Sequence, residues 1–162
     1  MDIRALTEAD AEAIRGWRYP GRYSTYDVGD SISAVRGYWA VAHEAELVGY
    51  CCFGPEARVP GVDEEAGTLD VGYGLRPDLV GRGLGRAFVE AILDFAVDQF
   101  SPRRLRLLIL SWNERSRKVA EALGFEDEGV VPSDEGDFLV MTRPGPHPRR
   151  PHRGGARGSL GG

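Results

Sequence analysis

Apolar and polar positions alternate between strand-like and helix-like spacing along most of this chain. Short runs rich in β-branched, aromatic and aliphatic residues predict strands; they lie at residues 3–6, 39–43, 47–53, 68–75, 105–110, 128–131 and 138–142. A helix is predicted after the fourth run and before Pro102, because apolar residues recur there at helical spacing, namely Leu84, Phe88, Ala91, Ile92 and Phe95. Strands and helices therefore alternate in the second half of the chain.

Capping residues indicate where two further helices begin and end. Thr7 with an acid three residues later predicts a capped helix that runs to about Trp17. Either Ser111 or Asn113 caps a later helix, which is expected to end at Gly124 with Phe125 as its hydrophobic partner.

The remaining segments are predicted as connections. Residues 18–36 are aromatic and irregular, with a short helix expected near Ser33, while residues 44–46 form a tight turn and residues 55–67 a loop. The order is one strand, one or two helices, three strands, then helix, strand, helix and two closing strands. This order predicts an α/β (α+β) protein with a mixed sheet covered by helices.

Three glycines at alternate positions, Gly81, Gly83 and Gly85, separate the strand at residues 68–75 from the helix that follows it. Glycine lets the backbone turn tightly and approach a ligand closely, and a helix N-terminus presents unpaired N–H groups. Together these features predict a cradle for a phosphate or pyrophosphate. The spacing differs from the dinucleotide-binding fingerprint, and the chain contains neither a P-loop nor a nucleophile elbow.

Composition limits the partners that we expect. Residues 144–162 carry four arginines and no acid, so the preceding residues carry a net charge of −9 and are a poor match for nucleic acid. No run approaches the ~18 apolar residues of a membrane span. The first residues lack the features of a secretory signal, so we expect a cytoplasmic protein without a membrane partner.

The last 19 residues, 144–162, contain six glycines and four prolines, and we predict that they form a disordered tail after one domain at residues 1–143. The two cysteines, Cys51 and Cys52, are adjacent and are expected to be buried and free. His43 is the one histidine before the tail, so neither a zinc site nor a Cys-His or Ser-His nucleophile is expected, and we predict no metal.

Three motifs, in order, resemble those of the GCN5-related N-acetyltransferases, the GNAT family. Residues 80–85 (Val-Gly-Arg-Gly-Leu-Gly) resemble the acetyl-CoA loop of that family, and residues 69–75 resemble the strand before it. Asn113 and Ser116, followed by Leu-Gly-Phe at residues 123–125, resemble its later helix and are similar to the ribosomal-protein alanine and serine acetyltransferase branch. The resemblance covers about residues 1–143 and implies the GNAT acyl-CoA acyltransferase fold: a mostly antiparallel central sheet, with strands 4 and 5 splayed apart, flanked by helices.

This resemblance implies acetyl-CoA (coenzyme A) as the cofactor. The pyrophosphate would bind the loop formed by Val80, Gly81, Arg82, Gly83, Leu84, Gly85 and Arg86, although the two arginines could equally be solvated. The pantetheine arm would bond to the backbone of Tyr73 and Leu75, in a strand that Gly72 and Gly74 would bulge. Asn113 would contact the same arm, or serve only as a helix cap.

The chain departs from the family pattern at two positions. Val80 stands where glutamine or arginine is usual, which removes a side-chain contact. Ala120 stands where many members have the tyrosine that protonates the leaving thiolate, so Ser116 inherits that catalytic role as a hypothesis; it could instead be a small polar residue on an exposed helix face. Asp70 matches the family's strand glutamate and is the candidate general base, acting through water; alternatively it anchors a loop. Backbone N–H groups near Tyr73 would polarise the thioester oxygen.

The acceptor is less defined. Trp17, Tyr19, Tyr23 and Tyr26 lie where family members line the acceptor pocket, or they pack an irregular segment over the sheet. Acids at residues 63–65 could steer a cationic acceptor. The leading hypothesis is an N-acetyltransferase that acts by direct attack of a primary amine from a small molecule or amino-acid-like substrate. A peptide N-terminus as acceptor, and a non-catalytic acyl-CoA-binding regulatory module, are the alternatives; a homodimer through the closing strands is possible.

Overall fold

The computed structural model describes residues 1–146, which form a seven-stranded sheet with helices on both faces. The strands are β1 (Asp2–Ala5), β2 (Tyr38–His43), β3 (Glu46–Phe53), β4 (Thr68–Leu75), β5 (Arg104–Leu110), β6 (Glu126–Val131) and β7 (Phe138–Pro144). Their order across the sheet is β1-β2-β3-β4-β5-β7-β6, and β4 and β5 are the parallel pair. The predicted mixed, mostly antiparallel sheet is confirmed.

Three α-helices cover the sheet: α1 (Glu8–Arg15), α2 (Gly85–Phe100) and α3 (Glu114–Ala122). The apolar faces of α2 and α3 pack on one side around Phe88, Ile92 and Ala120, all at most 1% exposed. On the other side α1 packs Ala11 and Ile14 against Ile32 and Tyr50 in a smaller cluster. The sheet is therefore buried on both faces, which explains why its central strands are almost continuously apolar.

The predicted helix caps are confirmed. The Thr7 hydroxyl accepts from the Asp10 N–H at 3.1 Å, and the Asp10 carboxylate accepts from the Thr7 N–H at 2.9 Å, so the two residues form a capping box. At the end of α3, Gly124 has φ +88°, and the N–H of Phe125 donates to the Ala120 carbonyl. Only a residue without Cβ takes up this left-handed conformation readily, so Gly124 ends the helix there.

The segment between α1 and β2 differs from its prediction. The short helix expected near Ser33 is a three-residue 3₁₀ helix at Gly29–Ser31, and a six-residue 3₁₀ helix that was not predicted covers Gly21–Tyr26. Gly21, Gly29 and Gly37 all have positive φ, and these left-handed positions interrupt the segment before a longer helix can form. A further 3₁₀ turn, Gly54–Ala57, begins the loop that was predicted after β3.

Three smaller expectations concern the ends of the chain and its cysteines. Cys51 and Cys52 are buried and free, as predicted. No helix within residues 1–146 combines the length and the apolar character that crossing a membrane requires. The tail predicted from residue 144 lies mostly outside the described residues, and β7 itself extends to Pro144.

We expect the capping box to make the stability of the domain depend on pH in the acid range. The Arg4 side chain bonds to the Asp10 carboxylate and, with the Thr7 contacts, lowers the pKa of Asp10 from 3.8 to about 2. The native state favours the ionised carboxylate, so its contribution is complete above pH 4 and is lost as the pH falls towards 2. Urea unfolding gives the free energy of unfolding at pH 5 and at pH 2. Between these two pH values Asp10→Asn should lose less of that free energy than the wild type. The exposed Glu12→Gln should lose as much as the wild type.

Candidate active site

The parallel strands β4 and β5 separate after a short common stretch. Their register contains three pairs, from Thr68 with Arg104 to Asp70 with Arg106, and ends there. On the other edge of β4, the Arg76 N–H donates to the Val48 carbonyl at 2.8 Å. Since bonded positions alternate along an antiparallel pair, the N–H and carbonyl groups of Tyr73 and Leu75 point away from β3 and into the gap. The predicted splay of strands 4 and 5 is confirmed.

The expected bulge in β4 is not found, and this prediction is wrong. The register between β3 and β4 runs without a shift from Gly49–Leu75 to Phe53–Val71. Gly74 is needed for another reason: a Cβ there would lie 2.4 Å from the Tyr50 ring, on the strand opposite. Gly74 thus makes room for the Tyr50 ring on β3.

The glycine loop forms an open cradle between β4 and α2. Gly81 and Gly83 have φ of +80° and +78°, and a Cβ built on Gly83 would meet nothing within 4 Å. Within residues 1–146, no side chain caps the first N–H groups of α2, which begins at Gly85. Backbone donors with free space in front of them fit a phosphate or pyrophosphate group. The loop therefore suits the acyl-CoA ligand that the sequence predicts.

A cavity of about 600 Å³ joins this cradle to the gap between β4 and β5. Most of the predicted site residues line it, namely Tyr19, Tyr23, Tyr26, Tyr73, Leu75, Val80, Gly81, Gly83, Gly85, Arg86, Asn113 and Ser116. The structure thus brings the predicted cofactor loop, the strand edge and three of the four predicted acceptor aromatics into one space.

Three other predicted site residues lie outside this cavity wall. Trp17 packs against Tyr50 at a centroid distance of 6.2 Å within the smaller apolar cluster and does not itself line the cavity, so its contact with an acceptor stays a prediction. Arg82 is exposed beside the loop. Leu84 is the residue before α2, and its carbonyl accepts from the Phe88 N–H at 3.0 Å.

Asp70 is also outside the cavity wall, and the structure contradicts its prediction as general base. Its side chain is 1% exposed and accepts from Arg106 at 2.6 and 3.0 Å and from Arg58 at 3.3 Å. Both carboxylate oxygens of Asp70 accept hydrogen bonds from guanidinium groups, and the side chain does not line the cavity in which an acceptor amine would bind. Asp70 anchors the loop before β4 instead, because Arg106 also donates to the Asp63 carbonyl. The acids at residues 63–65 lie beside Arg104 and Arg106 around a separate cavity, away from the tyrosines.

Residues 19–26 close the cavity on the side opposite α2. The Tyr19 hydroxyl donates to the Leu75 carbonyl at 2.6 Å, at the end of β4. On the other side of the gap, the Asn113 amide donates to the Tyr26 hydroxyl at 2.9 Å. The segment between these two tyrosines therefore bridges the splayed strands and covers the space between them.

The first turn of α3 supplies Asn113 and Ser116. The Asn113 side chain accepts from the Ser116 N–H at 3.2 Å, so Asn113 caps the helix as well as facing the cavity. Across the gap, burial raises the pKa of the Tyr73 hydroxyl to about 12, while the nearby Ser116 hydroxyl limits the rise. Tyr73 therefore stays protonated at neutral pH and lies beside a second hydroxyl.

Sequence reasoning missed the side chains of Arg115, Tyr50 and Tyr73. The Arg115 guanidinium lies 3.8 Å from a Cβ built on Gly81 and 5.5 Å from the centre of the Tyr23 ring, so it links the loop to the bridging segment. A sequence signal existed, since Arg115 lies in the same helical turn as Asn113 and Ser116. For Tyr50 no local signal exists, because its place in the wall depends on its register opposite Gly74.

Comparison with known proteins agrees with this geometry. A model of the acetyltransferase (GNAT) domain matches residues 1–126. An uncharacterized N-acetyltransferase p20 of Bacillus licheniformis is 26% identical over 86 residues, which are 53% of this chain but only 45% of that relative. The chain thus spans about half the length of this curated relative.

Solved structures of several acetyltransferases share the fold. The aminoglycoside acetyltransferase AAC(6')-Ib, in complex with ribostamycin and coenzyme A, superposes with a TM-score of 0.67 at 18% identity, over 88% of this chain and 92% of that one. A chimera of the Vibrio cholerae spermidine N-acetyltransferase SpeG gives 0.67 at 15% identity over 88% and 94%. A ribosomal-protein-alanine acetyltransferase from Vibrio fischeri gives 0.62 at 20% identity over 88% and 92%.

These structures represent several branches with different acceptors, so the branch predicted from Asn113 and Ser116 stays a prediction. The match of the domain model extends over most of the chain and includes the strand, the glycine loop and α3. The cavity, the splayed strands and this match lead to the same conclusion. The chain belongs to the GNAT family of acetyltransferases.

Proposed function

We propose that this protein transfers an acetyl group from acetyl-CoA to the primary amine of a small molecule with an aromatic or apolar body. The observation that carries the proposal is the single cavity in which the glycine cradle meets a tyrosine-lined space at the splay of β4 and β5. The cradle would hold the pyrophosphate, and the space between Tyr19 and Asn113 would receive the amine.

The residues present fit the cofactor. Acetyl-CoA, when bound, supplies an activated acetyl group and a thiol leaving group. The N–H groups at the start of α2 would bind its phosphates, with Arg86 and Arg115 adding charge-assisted bonds from the cavity wall. The backbone N–H groups of Tyr73 and Leu75, which face the gap, would bond along the arm and polarise the carbonyl to be attacked.

The closed form of the cavity favours a small acceptor over a peptide N-terminus. Tyr19 and Tyr26 fasten the covering segment to both sides of the gap, and the Tyr19 N–H donates to the Asp27 carboxylate at 2.9 Å, which holds the segment in its turn. A peptide would have to displace these bonds in order to enter.

The charge of the wall favours a monoamine over a polyamine. Among residues 1–146, the side chains around the cavity include five tyrosines and two arginines but no carboxylate. The amine can rest on tyrosine faces through cation–π contact, whereas further ammonium groups would find no counter-charge. The incoming amine would release its proton to water, since Asp70 is engaged elsewhere.

We therefore expect tyramine to be a better acceptor than spermidine. Its kcat/KM should be about 10-fold higher or more, which corresponds to the ~1–3 kcal/mol that a matched pocket contact supplies. The measurement is thiol release from acetyl-CoA with each amine, with calorimetry of coenzyme A binding in parallel. A preference for spermidine would contradict the proposed acceptor class, and binding of coenzyme A without turnover on any amine or peptide would favour a regulatory module.

A further inference from the structure

The chain has Ala120 at the position from which many GNAT enzymes donate a proton with a tyrosine. Ala120 is 0% exposed and packs in the main core cluster, so that position faces the sheet. The next helix residue that reaches the cavity is Val119, which carries no proton. A proton donor must therefore come from another part of the wall.

Three side chains that carry hydroxyl groups line that wall where β4 separates from β5. Tyr73 extends from β4, Ser116 from the first turn of α3, and Tyr26 from the covering segment; all three line the cavity. Asn113 holds this arrangement, because its carbonyl oxygen caps the Ser116 N–H and its amide donates to the Tyr26 hydroxyl. The Tyr73 ring rests edge-on against Phe88, with centroids 6.1 Å apart, and this fixes its direction.

We propose that the Tyr73 hydroxyl, acting through Ser116, is the proton donor to the sulfur leaving group. The inference rests on the proposed function. As the amine nitrogen forms its bond to the acetyl carbon, the carbon–sulfur bond breaks and its electron pair stays on sulfur. Ser116 passes its hydroxyl proton to that sulfur and takes the proton of Tyr73, which regains one from water. The amine loses one proton and the sulfur gains one, so the step balances.

The surroundings of Tyr73 suit this role. Burial raises the pKa of its hydroxyl from 10.0 to about 12, so the hydroxyl keeps its proton at neutral pH. The titratable side chains around the same cavity are Tyr19, Tyr23, Tyr26, Tyr50, Arg86 and Arg115. None is a carboxylate that could compete for the proton, and the two arginines favour a developing negative charge.

The test uses bound coenzyme A and needs no acceptor. The thiol of the bound ligand is titrated by its thiolate absorbance, with the complex of desulfo-coenzyme A as the blank that removes tyrosine and cysteine signals. The Ser116 hydroxyl, with the Tyr73 hydroxyl donating to it, donates a hydrogen bond to the thiolate and so lowers the pKa of the thiol. Tyr73→Phe and Ser116→Ala should each raise that pKa by about one to two units, the value of a hydrogen bond to a charged group. Tyr38→Phe is the matched control, since Tyr38 packs against Tyr50 outside the cavity.

Kinetics give a second readout. Tyr73→Phe should lower kcat about 100-fold and leave the KM for acetyl-CoA unchanged, because the ring and its contact with Phe88 remain. If Tyr73→Phe binds coenzyme A and leaves the thiol pKa unchanged, the inference is overturned and the proposed function survives. If the wild type does not bind coenzyme A, both are overturned. Ser116→Ala provides the same pKa test should Tyr73→Phe fold poorly.

Discussion

Replacing Asp70 with asparagine is expected to lower the free energy of unfolding by about 3–5 kcal/mol, the cost of breaking a buried ion pair by removing one partner. The change leaves Arg106, whose side chain is 9% exposed, without the carboxylate that now accepts from it at 2.6 Å. It also frees Arg58 from its bond at 3.3 Å. Urea unfolding followed by tryptophan fluorescence measures the loss.

A matched substitution separates the effect of burying the ion pair from the effect of removing the charge. Asp78 also pairs with an arginine at 2.6 Å, but its side chain is 59% exposed, so Asp78→Asn should change the stability far less. Turnover per folded molecule of Asp70→Asn should stay close to that of the wild type. A loss of about 100-fold or more in fully folded protein would restore Asp70 as general base and refute the assignment made from the structure.

A methyl group at Gly83 is expected to weaken coenzyme A binding about 10- to 100-fold. The φ of +78° strains any residue with a Cβ, and the added carbon would stand in the open cradle before the N–H groups of α2. Losing charge-assisted bonds to a phosphate costs about 1.5–3 kcal/mol, which corresponds to this range. Calorimetric titration of Gly83→Ala with coenzyme A provides the value.

Backbone strain alone could also weaken binding, and Gly29 controls for it. Gly29 has a φ of +52°, with nothing within 4 Å of a built Cβ, and it lies outside the cavity wall. Gly29→Ala should lose about 1–2 kcal/mol of stability, similar to Gly83→Ala, and keep full affinity. If Gly83→Ala and Gly29→Ala bound coenzyme A with equal affinity, the glycine loop would not be the phosphate site.

The sequence predicted the elements of this fold well because their signals are local. The Thr7–Asp10 cap, the Gly124 stop and the helix after Gly85 each depend on a few neighbouring residues, and each lies where it was expected. The prediction that β4 and β5 splay apart came from the family resemblance, since no local sequence pattern shows where two strands separate.

Sequence reasoning failed where a side chain has a partner far along the chain. Asp70 looked like a base because its position matches a catalytic glutamate, but Arg106, 36 residues later, neutralises it. Trp17 is near the acceptor tyrosines in sequence, yet it packs on Tyr50. Gly74 led to the prediction of a bulge, whereas its lack of a side chain leaves room for the Tyr50 ring on β3. For Asp70 and Gly74 the deciding contact depends on the register of the sheet, and for Trp17 it depends on how the segment after α1 packs on β3.

Because β4 and β5 pair over only a short stretch, the amount of folded protein also depends on the concentration of ligand. Three residue pairs join these strands, and beyond them the edge of β4 presents backbone groups that a ligand in the gap can satisfy. Such a ligand binds the folded chain alone, and at 100 times its dissociation constant it adds about 2.7 kcal/mol to the free energy of unfolding. The lifetime of this protein against proteolysis should therefore rise and fall with the supply of its own acyl donor.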